Sequence, residues 1–248
     1  MKTSIISVLL LSLTPALICQ QSEQQTQAAE VMRQMFLHDA EREAATAGYA
    51  GTRRYRLENE RMGKSAELVA AVHCNADGSK HFEVVSEAGW GSANKRVLRK
   101  MLESESETSS PATRPQSRLT ADNYDFRMVG TEMLDGRTAY VIDVVPKRRD
   151  KYLMEGRIWV DASDFALARA EGKPAHNPSF WTKSVHFVQR YQKSGEFWFP
   201  VSTDSITEAR IFGTTHVNIV YSGYVPNSDN PSPQEILPSQ TEVTYAMH

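Results

Sequence analysis

The feature that most constrains the fold is a long succession of strand-like runs between residues 49 and 224, joined by short turns. In the first run Tyr55 and Leu57 alternate with charged residues, which is the period of a half-buried strand. The pair Asp135-Gly136 separates two further runs and is a strong hairpin signal. The runs that follow the first one, including these two, lie at residues 65–74, 81–87, 124–133, 139–146, 156–161, 166–172, 184–192, 196–206 and 210–224. The pattern predicts about ten strands in a mostly sequential antiparallel sheet.

Two helices are predicted beside these strands. Residues 22–46 carry apolar side chains at helical spacing and stop at Gly48, and residues 92–107 repeat the pattern with Val97, Leu98 and Met101 on one face. The helices are too few for both faces of so large a sheet, and no alternation of strands with helices indicates a parallel fold. The fold class predicted is mainly β (α+β): one large curled antiparallel sheet forming a half-open barrel, with the helices as lid or plug.

The N-terminus has the layout of an export signal. Lys2 precedes an apolar run from Ile5 to Ile18 that ends at Cys19, and a polar stretch follows. This run is shorter than the roughly 20 apolar residues of a spanning helix, so the mature protein is predicted not to span a membrane. Residues 1–19 are interpreted as a signal peptide and the protein as periplasmic. The alternative is a lipid anchor at Cys19, although bulky Ile18 departs from the usual pattern before such a cysteine.

Composition narrows the classes of function. The chain is 40% hydrophobic and 23% charged with a formal net charge of −2, whereas a nucleic-acid binder should carry a strong basic excess. Residues 20–225 are predicted to form one domain containing an exposed polar loop at about 103–118. Residues 226–248 are predicted to be a Pro/Ser-rich tail. If cleavage follows Cys19, Cys74 is the only cysteine left and no internal disulfide can form.

The sequence offers no catalytic constellation. It contains no Gly-rich phosphate loop, no G-x-S-x-G elbow and no H-E-x-x-H. His73, Cys74 and His81 lie around the first hairpin and are possible metal ligands by residue type, but the neighbours His73 and Cys74 must point to opposite faces of a strand. Asp161 and Asp164 are interpreted as turn formers. We therefore expect no enzyme activity, no catalytic residue, no metal site and no cofactor.

A wide curled sheet encloses a cavity or needs a plug, because its own side chains cannot fill its interior. Apolar side chains in the strands and in the second helix are the candidates for the wall and lid of a cavity that binds a hydrophobic ligand. The predicted ligand-binding residues are Phe82, Val84, Val97, Leu98, Met101, Phe126, Met128, Tyr140, Ile142 and Trp159.

A family resemblance rests on three sequence motifs: G-R-x-A-Y-V-I-D-V-x-P-K at 136–147, G-x-I-W-V-D at 156–161 and F-W-F-P at 197–200. The chain resembles the outer-membrane lipoprotein-sorting proteins, the LolA, LolB and RseB superfamily of periplasmic carriers, over roughly residues 25–225. The resemblance implies a half-open barrel with a helical lid over an apolar cavity that shields the acyl chains of a lipoprotein. The hairpin at 156–174 would be part of the wall. Arg53, Arg54 and Arg56 are available for the family's lid-latching arginine, and none of them is assigned to it.

The expected function is that of a monomeric, non-enzymatic carrier whose partner is a lipid or an acylated lipoprotein. An RseB-like sensor that binds an envelope protein is the first alternative. A ligand-free structural envelope protein is the second. A hydrolase would need converging titratable residues, and the sequence offers no such trio. Lipidation at Cys19 would favour an anchored, LolB-like acceptor.

Overall fold

The computed structural model describes residues 15–177 and 182–227, with side chains from residue 23 onward. Helix α1 (Pro15–Thr46) ends where Ala47 and Gly48 take positive φ angles of 46° and 93°, a turn that breaks the helix. After three strands come α2 (Gly91–Ala93), a π-helical turn (Asn94–Leu98), α3 (Arg99–Ser109) and α4 (Arg114–Ser117). None of the described helices is both long enough and apolar enough to cross a membrane.

Ten strands form one antiparallel sheet in the described residues, as the sequence predicts. They are β1 (Tyr49–Asn59), β2 (Lys64–Cys74), β3 (Lys80–Gly89), β4 (Tyr124–Leu134), β5 (Arg137–Pro146), β6 (Met154–Asp161), β7 (Leu167–Pro174), β8 (Thr182–Ser194), β9 (Phe197–Ala209) and β10 (Gly213–Pro226). Their order is β3-β2-β1-β10-β9-β8-β7-β6-β5-β4, so β3 and β4 are free edges and the sheet does not close into a barrel.

One row of directly paired residues crosses nine of the ten strands on the same face. From β4 to β2 its members are Met128, Ile142, Ile158, Ala170, Gln189, Thr203, Ile219, Tyr55 and Leu68. The row is apolar towards both edges of the sheet and polar at Gln189 and Thr203 in the middle. Helices explain the pattern, because they cover the two apolar ends and leave the polar middle open.

Helix α1 covers one end of this inner face. Its side chains Val31, Met32 and Met35 are buried against Ile142 and Ile158 in the larger of the two main cores. The segment from α2 to α3 covers the other end, where Leu98 and Leu102 pack on Tyr55, Leu57 and Leu68. Each side chain fully buried in this way contributes about 1.5–3 kcal/mol, so the two helices are held mainly by apolar contact.

The predicted exposed loop at 103–118 is corrected by the structure. Residues 103–109 continue α3, and residues 114–117 form α4. The polar sequence is compatible with helix because Ser106 and Ser109 bond to the backbone of Lys80, at the start of β3. Polar contacts from these two serines therefore hold the C-terminal part of α3 against the first residue of β3. Most of the predicted signal peptide, and the predicted tail beyond Asn227, lie outside the described residues.

Candidate functional site

A cavity of about 690 Å³ lies over the uncovered middle of the inner face. The C-terminal half of α1 forms one side of its roof, and α3 with α4 forms the other. The turns after β2, β6 and β8 line its mouth. Its floor is formed by side chains of β1, β8, β9 and β10, which include Arg53, Gln189, Tyr191, Trp198 and Tyr221.

The floor carries a chain of hydrogen bonds. The Tyr191 hydroxyl donates to the amide oxygen of Gln189 at 3.0 Å, and the Gln189 amide nitrogen lies 3.5 Å from the Tyr221 hydroxyl. Tyr221 also shares a 2.9 Å hydrogen bond with Thr203. Burial raises the pKa of both tyrosines, so they stay neutral at physiological pH. The floor therefore offers aromatic faces together with neutral hydrogen-bonding groups.

A buried ion-pair group joins α3 to the sheet; we call it the latch, and it consists of Arg53, Lys80 and Glu105. The Arg53 guanidinium donates to one Glu105 oxygen, and the Lys80 ammonium lies 2.8 Å from the other. Arg53 is only 2% exposed, and its guanidinium lies 4.8 Å and 5.1 Å from the ring centres of Tyr221 and Phe82. The latch therefore holds a fully desolvated cation, whose charge needs the Glu105 carboxylate.

The electrostatics of the latch follow from these contacts. Burial alone would raise the pKa of Glu105, but Lys80 and Arg53 outweigh it and lower the pKa to about 2. Burial alone would lower the pKa of Lys80, and Glu105 reverses the shift and raises it. All three groups are therefore charged across the physiological range.

A second ion-pair group joins the two sides of the roof; we call it the seam, and it consists of Asp39, Arg42, Glu43, Arg114 and Arg118. Arg42 pairs with Asp39 within α1, and Arg114 of α4 pairs with Glu43. The Arg118 guanidinium lies 3.6 Å from Asp39 and 3.8 Å from Glu43. Because these groups are 22–39% exposed, water reaches the seam more easily than it reaches Arg53.

Three hairpin tips meet beside the cavity mouth. Asp161 is 1% exposed and accepts two hydrogen bonds from Arg137, at 2.5 and 2.8 Å, as well as bonds from the backbone N–H groups of its own turn. Asp164 accepts from Arg137, Lys193 and the Trp198 indole. The expected turn role of the two aspartates is confirmed. Their side chains also connect the β6–β7 hairpin, in which they lie, to the β4–β5 and β8–β9 hairpins.

None of the ten predicted ligand-binding residues lines this cavity. Phe126, Met128, Tyr140 and Ile142 pack in the core under α1, and Phe82, Val84, Leu98 and Met101 pack in the core under α2 and α3. The helices occupy the sites that an apolar ligand was expected to fill.

The other two of the ten residues belong to neither of these cores. Val97 lies in the π-helical turn and is 39% exposed, whereas its neighbour Leu98 is buried. Trp159 is opposite Val141 on the other face, where its indole donates to Glu132 and its ring lies 4.7 Å from the Arg169 guanidinium. Strand periodicity explains this, because Trp159 follows the inward-facing Ile158.

Sequence reasoning missed the groups that do line the cavity. Arg53 is two residues before Tyr55, so strict alternation already placed it on the inner face with that tyrosine. Glu105 fell where the predicted helix at 92–107 and the predicted loop at 103–118 overlap, and Ser109 was assigned to the loop alone, although both lie on α3. Within the described chain, no set of three or more His, Cys, Asp or Glu side chains is arranged to hold a metal ion.

Comparison with known proteins gives a family but no activity. The profile of a family of unknown function, DUF5686, matches residues 81–227, which is more than half of the chain. The chain belongs to the DUF5686 family. The match begins in β3 and includes α2 to α4 and every strand from β4 to β10. No curated protein matches the sequence.

Several solved structures are similar to this DUF5686 protein at low sequence identity. An outer membrane lipoprotein-sorting protein domain from Vibrio parahaemolyticus is 12% identical, with 88% of this chain and 98% of that chain covered and a TM-score of 0.41. A LolA superfamily protein from Nitrosomonas europaea is 12% identical, with coverages of 86% and 98% and a TM-score of 0.39. The MucA/MucB complex of Pseudomonas aeruginosa is 12% identical, with coverages of 79% and 93% and a TM-score of 0.27.

Proposed function

We propose that this protein is a non-enzymatic carrier of the bacterial periplasm that binds a lipid, or the acyl chains of a lipoprotein, in the central cavity. The single observation that carries the proposal is the division of the inner face. Helices cover both ends, and about 690 Å³ remains open over the middle. A volume of this size lies within the usual range of ligand pockets, roughly 300–1,000 Å³.

The walls suit an amphipathic ligand. Aromatic side chains of the floor, such as Tyr191, Trp198 and Tyr221, provide apolar area for an alkyl chain. Each methylene transferred from water contributes about 0.8 kcal/mol, so one chain gives useful affinity without any covalent chemistry. The charged seam lies along the roof and the latch joins the roof to the floor, so a polar head group would be placed between these two groups.

The roof also gives a route for loading. Helices α1 and α4 are joined across the cavity by the seam, whose partly exposed ion pairs contribute little to stability. Separation of the seam would widen the cavity and leave α1 packed on its apolar core. Helix α3, held by the latch, would act as the lid that opens for release.

A protein-binding module is the second candidate, and a different observation favours it. Met62, Ile211 and Phe212 are 45–52% exposed on the neighbouring β1–β2 and β9–β10 turns. An exposed apolar group of this kind is typical of a contact surface for another protein. This function would correspond to the RseB-like alternative, with an envelope protein as the partner.

The test is to purify the protein from its own cells, measure its mass under native conditions and extract whatever denaturation releases. The proposal predicts a near-stoichiometric lipid or acyl chain. It also predicts that the mature protein is found in the periplasm and begins at residue 20. A lipid-modified Cys19 would instead indicate an anchored form. A ligand-free mass without uptake of a fluorescent fatty acid would contradict the carrier. A co-purifying protein in that case would favour the binding module, and no companion at all would favour a structural role.

A further inference from the structure

The charges around the cavity do not balance. The latch contains two cations, Arg53 and Lys80, which share the single carboxylate of Glu105. The seam contains three cations, Arg42, Arg114 and Arg118, which share two carboxylates. Every one of these groups lines the cavity, and the latch and the seam together carry an excess of two positive charges.

The other acidic groups of the lining do not compensate for the excess. Asp164 is paired with Arg137 and Lys193, which lie outside the cavity lining. Glu41 is 71% exposed at the rim, where it lies 3.5 Å from His38, and Glu196 is exposed on the β8–β9 turn. Water screens such exposed carboxylates far more than it screens the buried cations.

The excess charge is also concentrated in space. Cys74, buried in the cavity wall, is the direct strand partner of Lys80 of the latch, and Arg114 of the seam donates to the Asp77 carbonyl in the turn that joins those two strands. Four of the five cations are at most 25% exposed. Unmatched positive charge in such a partly desolvated place is unfavourable, and an anion placed beside it gains both Coulomb energy and charge-assisted hydrogen bonds.

We infer that the ligand of this cavity carries an anionic head group, a carboxylate or a phosphate, which binds between the latch and the seam near Cys74 while its alkyl chain lies on the aromatic floor. The inference rests on the proposed function and adds the chemical class of the ligand. A fatty acid would supply the carboxylate, and an anionic phospholipid would supply the phosphate.

The test compares four amphiphiles that have the same chain: laurate, lauryl phosphate, lauryl alcohol and lauryl trimethylammonium, each titrated calorimetrically into delipidated full-length protein. Laurate and lauryl phosphate should bind at least about tenfold more tightly than the alcohol, because a charge-assisted hydrogen bond contributes about 1.5–3 kcal/mol. The ammonium compound should bind most weakly. The ranking of carboxylate and phosphate identifies the fatty acid or the phospholipid as the source.

Lys80→Gln removes half of the excess charge and should weaken laurate binding about tenfold while leaving the alcohol unchanged. Lys173→Gln is the matched control, because Lys173 is 60% exposed, pairs with Glu155 at 3.4 Å and does not line the cavity. In the unmodified protein, laurate should slow alkylation of Cys74, measured by peptide mass spectrometry, and the alcohol should protect it less. This second readout does not depend on any variant folding.

Equal affinities for laurate and lauryl alcohol would overturn the inference and leave the carrier function intact. Tightest binding of the ammonium compound would also overturn it. Uptake of none of the four would overturn the proposed function and the inference with it.

Discussion

Arg53 of β1 donates a hydrogen bond to Glu105 of α3, 52 residues further along the chain. The arginine is 2% exposed and the glutamate 29% exposed, so a desolvated cation on the sheet faces a partly hydrated carboxylate on the roof. The pair connects the floor of the cavity to its lid. This ion pair keeps the roof closed as long as the Glu105 carboxylate balances the charge of Arg53.

Glu105→Gln should lower the free energy of unfolding by about 2 kcal/mol, because it leaves the buried Arg53 without its counter-charge. The value is below that of a fully buried pair, since Glu105 is partly hydrated. Urea unfolding at neutral pH measures the change. Glu103→Gln is the control, because this glutamate is exposed on the same helix. Equal stabilities of the two variants would show that the latch contributes nothing.

Acid should weaken the latch. The folded-state pKa of Glu105 is about 2, below the value of about 4.3 in an unfolded chain, because Lys80 and Arg53 outweigh the effect of burial. The stabilisation is therefore complete above about pH 4.3 and is lost as the pH falls towards 2. The stability difference between the parent and Glu105→Gln should be smaller at about pH 3 than at about pH 6. A difference independent of pH would assign the effect to packing.

Asp161→Asn should destabilise the three joined hairpin tips, since the Arg137 guanidinium would lose its two-pronged carboxylate partner. A loss of about 2 kcal/mol is expected, together with a shifted emission of Trp198, whose ring lies 5.6 Å from the same guanidinium. Asp122→Asn provides the matched control, because Asp122 is exposed in the turn before β4. Unchanged stability and emission would mean that the turn backbone alone fixes the tips.

Gly156→Ala should be among the most damaging substitutions in the sheet. A Cβ at Gly156 would lie 2.6 Å from the Cα of Gly172, its partner on β7, and closer still to the carbonyl oxygen of Glu171. The backbone itself must move, so a loss of at least about 2 kcal/mol is expected in thermal or urea unfolding. Gly91→Ala, where a Cβ meets nothing within 4 Å, should leave the stability unchanged or slightly higher. Equal effects of the two changes would contradict the close approach.

Much of the fold could be predicted because strand and turn signals are local. The alternation around Tyr55, the Asp135-Gly136 turn and the helix before Gly48 each depend on neighbouring residues, and all three are present in the structure. The order within β1–β3 and within β4–β10 also follows, since nearly every turn there is too short for anything except a hairpin. The pairing of β1 with β10, which joins these two runs, is distant in sequence and could not be predicted from the turns.

The site could not be predicted, because it depends on where the helices lie. Ile142 faces inward as expected, but α1 packs over it, and Met101 of α3 packs on the sheet instead of facing an open cavity. The cavity remains over the polar middle of the inner face, where Gln189 lines it, and a search for apolar residues passes over such positions. The ion pairs of Glu105 could not be predicted from the sequence either, because its partners Arg53 and Lys80 are distant along the chain.

The most direct test of the central claim is to titrate a fluorescent fatty acid into the delipidated protein and into two variants of α3. Thr108 lines the cavity and Ser104 is exposed on the same helix. We expect saturable binding to the parent and to Ser104→Trp, and affinity lower by about tenfold or more in Thr108→Trp, whose indole would occupy the cavity. Equal binding to all three proteins would place the ligand elsewhere, and no binding to the parent would contradict a lipid carrier.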